Sequence, residues 1–375
     1  MLPTNSITTT ISDKIISYFS ISLLEKGKRM GGMRTFVIRR LLLLIPTLIG
    51  VSLLIFAVSQ AFSPEQRAAA FIRSEPHQPD VVPNIIKKYH LDDPFYIQYY
   101  YWMGRVLRGD FGISAWAHIP VLTAIFQGIP ASFELVMLSI PITIILGIYL
   151  GVLSAVHRDT IIDHATRFLA IIGWSLPTFW IALTLVAIFY GQLGWVTAGR
   201  LSPAAETFAT NPANFTKYTG VYTIDGILNG QLWITVDALK HVILPAITLT
   251  TIQIALIIRV MRSSMLEALS KGYTILARAK GLSRNEVINK HARRNALIPV
   301  VTLSGILAAG MLTGVVITET CFNYKGVGYF AAHAAMQLDI PGILGFAMFT
   351  GIVFVIANLI VDILYAFVDP RIRLG

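Results

Sequence analysis

Apolar positions in this chain gather into blocks instead of alternating with polar ones. Six blocks stand out: Leu41 to Ala61, Phe133 to Val156, Phe168 to Tyr190, Val242 to Val260, Leu297 to Thr318 and Ile343 to Val368. Each is near or above the length of about twenty residues that carries an α-helix across bilayer hydrocarbon. In hydrocarbon every backbone N–H and C=O needs a partner within the protein, so such blocks read as helices. The pattern therefore predicts an all-α integral membrane protein with six transmembrane helices. Pro46, Pro141, Pro177 and Pro245 fall inside blocks, where neighbouring helices can satisfy the carbonyls they free. The first block follows Arg39-Arg40. It exceeds the roughly 7–15 apolar residues of a signal peptide and lacks a small-residue cleavage site at its end, so it reads as a retained span.

The polar segments between blocks set the orientation. Segments 1–40, 157–167, 259–297 and 369–375 hold 20 of the 30 Lys and Arg residues; 61–132, 191–241 and 319–342 hold 10 although they are longer in total. The excess of positive charge marks the cytoplasmic side, which predicts both termini in the cytoplasm of a multi-pass cell-membrane protein. Composition agrees: 55% of residues are hydrophobic and the mean hydropathy is +0.66. In a chain of this kind the net charge of +10 reports topology, not a nucleic-acid partner. A single cysteine, Cys321, excludes an internal disulfide framework and a cysteine metal site.

The outer loop 62–132 carries an aromatic cluster, Phe95, Tyr96, Tyr99, Tyr100, Tyr101 and Trp102. It suits either an interfacial or partner-facing helix, or a helix packed on the outer rim of the bundle. Outer loop 191–241, rich in Gly, Asn, Thr and Ala, reads as an ordered loop. Residues 1–32 form an N-terminal cytoplasmic extension whose "IISYFSISLL" is weakly amphipathic. No repeat of 20–50 residues is apparent.

Chemistry is scarce. The chain has no G-x-x-x-x-G-K-[ST] phosphate loop, no H-E-x-x-H and no G-x-S-x-G, and none of its eight histidines pair at i, i+4. Those absences predict a non-catalytic protein that binds no cofactor or metal of its own. The acids Glu134, Glu319 and Asp362 sit near the ends of their blocks, where capping or pairing with an interfacial arginine suits them. An ion-coupled carrier places ionisable groups nearer the midplane, so that reading is the weaker alternative. A six-span chain with no energy source of its own needs a cytoplasmic surface through which force enters.

The coupling loop 261–297 offers one. Within "YTILARAKGLSRNEVINKHARRNALIPV", Gly272 is read as the N-cap of a two-turn helix, Tyr273 to Lys280, too short to stand alone in water. Gly281 follows where a left-handed C-terminal cap is cheapest, and Ser283 with Glu286 has capping-box spacing. Leu276, Ala277 and Lys280 lie on roughly one face while Arg278 points elsewhere. Ala277 and Ala279 are small enough to let a partner groove approach closely, and Arg278 and Lys280 are placed to meet its acids. Tyr273, Leu276, Ala277, Arg278, Ala279, Lys280, Gly281 and Leu282 are therefore read as a docking element, with Gly272, Ser283 and Glu286 fixing its ends. No residues of a substrate path are identifiable from the pattern.

These residues resemble a known family. "ARAKGLS…HARRNALIPVVT" is similar to the cytoplasmic loop of inner-membrane permeases of binding-protein-dependent ABC importers, in the first-permease version of the dipeptide, oligopeptide and nickel group. "RRLLLLIPTLIGVSLLIF", "YHLDDPFYIQYYYWMGRVLRGDFGIS", "SLPTFWIAL", "ITET" and "NLIVDILYAFVDPRIR" resemble the family's other blocks in order. The likeness covers 33–375, a six-span permease domain; residues 1–32 have no counterpart, which makes Met33 an alternative start.

The resemblance implies a type I ABC importer permease-like bundle. It also implies a homologous second permease around a shared path, two cytoplasmic ATPase subunits that use ATP and Mg, and an extracytoplasmic solute-binding protein. Peptides are the implied substrate, with nickel chelates or oligosaccharides as alternatives. Carried over, Tyr273 to Gly281 is the coupling helix, with Ala277 and Gly281 at the motif's Ala and Gly positions. This chain departs from the general motif in having Ile275 where a Glu begins it and Gly272 where Asp is common. "FNYKG" at 322–326 replaces a Phe-Ser-Trp-Pro-Gly-like turn.

Overall fold

The apolar blocks fold as helices that mostly outrun their apolar limits. A computed structural model describes residues 33–68, 71, 80–312 and 315–368. The extension 1–32 and the end 369–375 lie outside the described residues. The main helices are α1 (Met33–Ser59), α2 (Phe95–Val106), α3 (Val121–Val156), α4 (Ile161–Ser175) and α5 (Thr178–Leu185), which continues as a π-helical segment, Val186–Gln192. They are followed by α6 (Leu232–Ser270), α7 (Gly272–Ala279), α8 (Arg293–Leu312), α9 (Val316–Cys321), α10 (Val327–Met336) and α11 (Ile340–Val368).

Five described helical stretches are long and apolar enough to cross a membrane. The pair α4 and α5, with its π segment, adds a sixth if taken as one span, bent by 96°. The bend has a local cause. Pro177 lacks an N–H, and the residue before a proline is pushed out of the helical region; Leu176 is extended, at φ −81° and ψ 132°.

Tertiary contacts move several boundaries from those the hydropathy pattern predicts. The segment 62–132 is not loop to its end, because α3 begins at Val121. There Val121 and Ile125 are buried against Val327 and Phe330. Likewise α6 starts ten residues before the apolar block, since Ile234 and Ala238 bury against Leu201, Ala205 and Phe215. The fifth block divides: α8 ends at Leu312, and α9 is a separate helix.

The α6 span is the bundle's centre, with 61% of its most apolar window buried, against 17% for α1. Contact between α3 and α6 depends on two glycines. A Cβ on Gly147 would stand 2.5 Å from Ile257 Cγ2, and one on Gly151 would stand 2.6 Å from Met261 Cβ. Helix α2 packs against α1 through part of the aromatic cluster. Phe95, Tyr99 and Trp102 ring Phe56 of α1 at centroid distances of 5.2, 5.4 and 5.3 Å, whereas Tyr96 and Tyr100 are exposed.

Candidate coupling site

At one end of the bundle α6 runs without a loop into α7. Lys271, extended at ψ 150°, makes the break and is the N-cap of α7. The predicted cap, Gly272, is instead the first helical residue. The chain leaves the axis one residue earlier because the Thr274 hydroxyl, fully buried, donates to the Ala268 carbonyl at 2.8 Å. The far end of α7 closes in a Schellman turn. Gly281 N–H donates to Arg278 O at 3.0 Å and Leu282 N–H to Ala277 O at 3.3 Å, with Gly281 at φ +79°. Ser283 accepts from the Glu286 N–H, and the Glu286 carboxylate accepts from the Ser283 N–H and hydroxyl. The C-terminal end of α7 is thus closed by its own backbone, and the next helix opens on the Ser283–Glu286 capping box.

Which residues face outward differs from the sequence expectation in one respect. Ala277 is buried at 5% exposure. Together with Thr274, one turn earlier, it forms the face that seats α7 on the bundle, so it offers nothing to a partner. Tyr273, Ile275 and Leu276 occupy the outward side at 41%, 58% and 56% exposure, and Ala279 and Lys280 are exposed beside them. Arg278, Lys280, Arg293 and Arg294 are exposed and form no ion pair among the described residues. The outward side of α7 is thus a small apolar patch flanked by cations that form no ion pair among the described residues.

Two further contacts tie this end of the bundle together. The Arg284 guanidinium donates to Val156 O at 3.1 Å, satisfying a carbonyl in the last turn of α3. Beside it, the fully buried Asp163 carboxylate accepts from Ser154 Oγ at 2.5 Å, from the Asp159 N–H at 3.1 Å, and from Arg262 Nε and Nη2 at 2.8 and 2.7 Å. The turn from α3 to α4 is thereby tied to α6, two turns before α6 gives way to α7. Nothing in the spacing of Asp163 and Arg262 advertised this pair.

At the opposite end, Glu134 and Glu319 both have built environments. Glu134, fully buried on α3, accepts from Arg200 Nε and Nη2 at 3.1 and 2.7 Å, from Tyr324 Oη at 2.6 Å and from the Thr223 N–H at 2.8 Å. Burial, with the Glu134 carboxylate beside it, pushes the Tyr324 phenol well above its usual range, so it stays a donor. Glu319 accepts from Ser132 Oγ at 2.7 Å and from the Tyr329 N–H at 2.9 Å. It thereby satisfies an amide in the first turn of α10 that has no helical partner. Both acids hold structure, by pairing and by capping. The side chain of Asp362 lies outside the described residues.

Residues 147–374 match the family described as the binding-protein-dependent transport system inner membrane component, and residues 33–147 match that component's N-terminal family. The chain belongs to this family.

Related proteins of known name cover nearly the same span. The dipeptide transport system permease protein DppB of Alkalihalophilus pseudofirmus is 36% identical over 91% of this chain and 100% of its own length. DppB of Escherichia coli is 37% identical over 91% and 99%. The oligopeptide transport system permease protein AppB of Bacillus subtilis is 35% identical over 91% and 100%. A transport-system inner-membrane component is a multi-pass protein, which fits the long apolar helices described above. Between two of those helices lies the basic hairpin formed by α7 and the turn that follows.

Proposed function

We propose that this chain is the permease subunit of an ATP-driven importer of di- or oligopeptides, and that α7 is its coupling helix. The observation that carries the proposal is the Schellman turn that closes α7, with its outward Tyr273, Ile275 and Leu276 and its unpaired Arg278 and Lys280. A loop that only oriented the chain would need neither a fixed shape nor exposed apolar side chains. Peptide cargo is supported by relatives named for dipeptide and oligopeptide transport.

In this reading both termini and α7 face the cytoplasm, where two ATPase subunits use ATP and Mg. A homologous second permease completes the path, and an extracytoplasmic binding protein delivers cargo. ATP closes the ATPase pair and moves α7. Arg284 and the Asp163–Arg262 pair carry that motion into α3, α4 and α6. Cargo binding and ATP turnover couple through their different contacts with the two states.

The test is to co-express the chain with its neighbouring transport genes and to measure ATPase co-purification and uptake of labelled dialanine. An Arg278→Glu, Lys280→Glu variant is expected to lose both. Normal co-purification with normal uptake would remove the docking role of α7. The subunit alone in liposomes is expected to accumulate no peptide under a proton or sodium gradient; accumulation there would favour a self-sufficient carrier.

A further inference from the structure

Arg167 of α4 and Arg259 and Arg262 of α6 line one cleft between those two helices, together with Ser263. Arg262 is held by Asp163. Arg167 and Arg259 are exposed, and neither forms an ion pair among the described residues.

The direction of Arg259 is the informative feature. Its guanidinium carbon lies 5.8 Å from the ring centroid of Trp174. Trp174 stands eleven residues beyond Asp163 on α4, roughly 16 Å along the axis at about 1.5 Å per residue. The two helices run antiparallel, since Gly173 packs on Thr251 while Asp163 meets Arg262. Arg262 therefore marks the end of the bundle that carries α7, and Arg259, one turn farther in, extends away from that end. An arginine seeking lipid headgroups would reach the other way. A cation carried toward membrane depth almost always faces a bundle interior or a water-filled cavity.

We infer that the α4–α6 cleft faces the aqueous translocation path, and that Arg259 with Arg167 receives the carboxylate of a passing peptide. The inference rests on the peptide-importer reading above. A guanidinium presents paired donors that match a carboxylate. Because neither arginine has a standing carboxylate partner, the site is free to engage an anion. Ala170 and Ile171 of α4 with Ile258 and Leu266 of α6 line the same cleft and supply apolar surface for peptide side chains. Passage needs contacts favourable enough to enter and weak enough to leave, which two exposed arginines meet better than a buried one.

The experiment uses the assembled transporter in proteoliposomes, with labelled dialanine as the probe and ATPase co-purification as the check of assembly. The Arg167→Gln, Arg259→Gln double variant is expected to take up dialanine at least about tenfold more slowly, the effect of losing its charge-assisted contacts to the carboxylate. Arg259→Lys, which keeps the charge without the paired donors, is expected to retain only part of the rate. In a Cys321→Ser background, the Arg259→Cys variant is expected to react several-fold faster with a membrane-impermeant anionic thiosulfonate than with a cationic one, because the unpaired Arg167 remains in the cleft. Unchanged uptake in the double variant, or no reaction of the Arg259→Cys variant with either reagent, overturns the inference and leaves the peptide reading standing. A wild-type complex that assembles but imports no dialanine overturns both, whatever the labelling preference.

Discussion

Arg262 grips Asp163 with two hydrogen bonds, 2.8 and 2.7 Å long, across 99 residues of sequence. Their partnership joins the α3–α4 turn to the helix that ends in α7. Breaking a buried ion pair by removing one member leaves an uncompensated charge and costs about 3–5 kcal/mol. Asp163→Asn is therefore expected to lower the melting temperature of the detergent-solubilised complex and to cut uptake more than it cuts ATP hydrolysis. An unshifted melting curve with normal uptake would show that the clamp is dispensable.

Gly281 has open space around the position a Cβ would take, so only its backbone, at φ +79°, resists substitution. A β-branched residue there is expected to lose roughly 1–2 kcal/mol in local conformational energy and to loosen the Schellman turn. Gly281→Val should weaken ATPase co-purification, whereas Gly281→Asn, which tolerates the left-handed region, should stay near wild type. Equal behaviour of the two variants would count against a conformational role.

Glu134 serves three groups that have few alternatives: Arg200, Tyr324 and the Thr223 amide. Tyr324→Phe removes one hydrogen bond to a charged group and is expected to destabilise by about 1.5–3 kcal/mol. Glu134→Ala leaves Tyr324 Oη and the Thr223 N–H without this acceptor and Arg200 with only the Gly220 carbonyl, and is expected to destabilise more. Thermal unfolding of the two variants, compared side by side, checks the order.

Gly326 is needed for proximity. A Cβ there would stand 2.5 Å from both Glu319 Oε2 and Ser132 Oγ. Gly326→Ala is expected to displace the Glu319 carboxylate from the first turn of α10. The readout is faster amide hydrogen exchange at Tyr329 together with a lower melting temperature. Unaltered exchange at that amide would show that the turn accommodates the methyl group elsewhere.

Features written over short distances were legible in the chain itself. The apolar blocks predicted where helices lie, because hydropathy is a local sum. The C-terminal end of α7 could be read from Gly281, and the start of the next helix from Ser283 with Glu286 three residues on, because a cap is made by neighbours. The N-cap of α7 fell one residue before the Gly272 that the spacing indicated. The faces of α7 were not legible. At helical spacing Ala277 looks like a small residue offered to a partner, yet Thr274 and Ala277 are the side that rests on the bundle, since what buries them comes from α6 and the π segment Val287–Ala292.

Sequence by itself determined the class: an all-helical membrane protein without catalytic motifs, carrying one capped basic hairpin. It determined these because hydropathy, helix caps and charge density act within a few turns. Tertiary structure alone decided the partners of Glu134, Asp163 and Glu319, the early starts of α3 and α6, and the inward reach of Arg259 to Trp174. Those depend on which distant residues a fold brings together, as with Glu134 and Tyr324, 190 positions apart. A buried carboxylate becomes a structural fixture only when such a donor arrives.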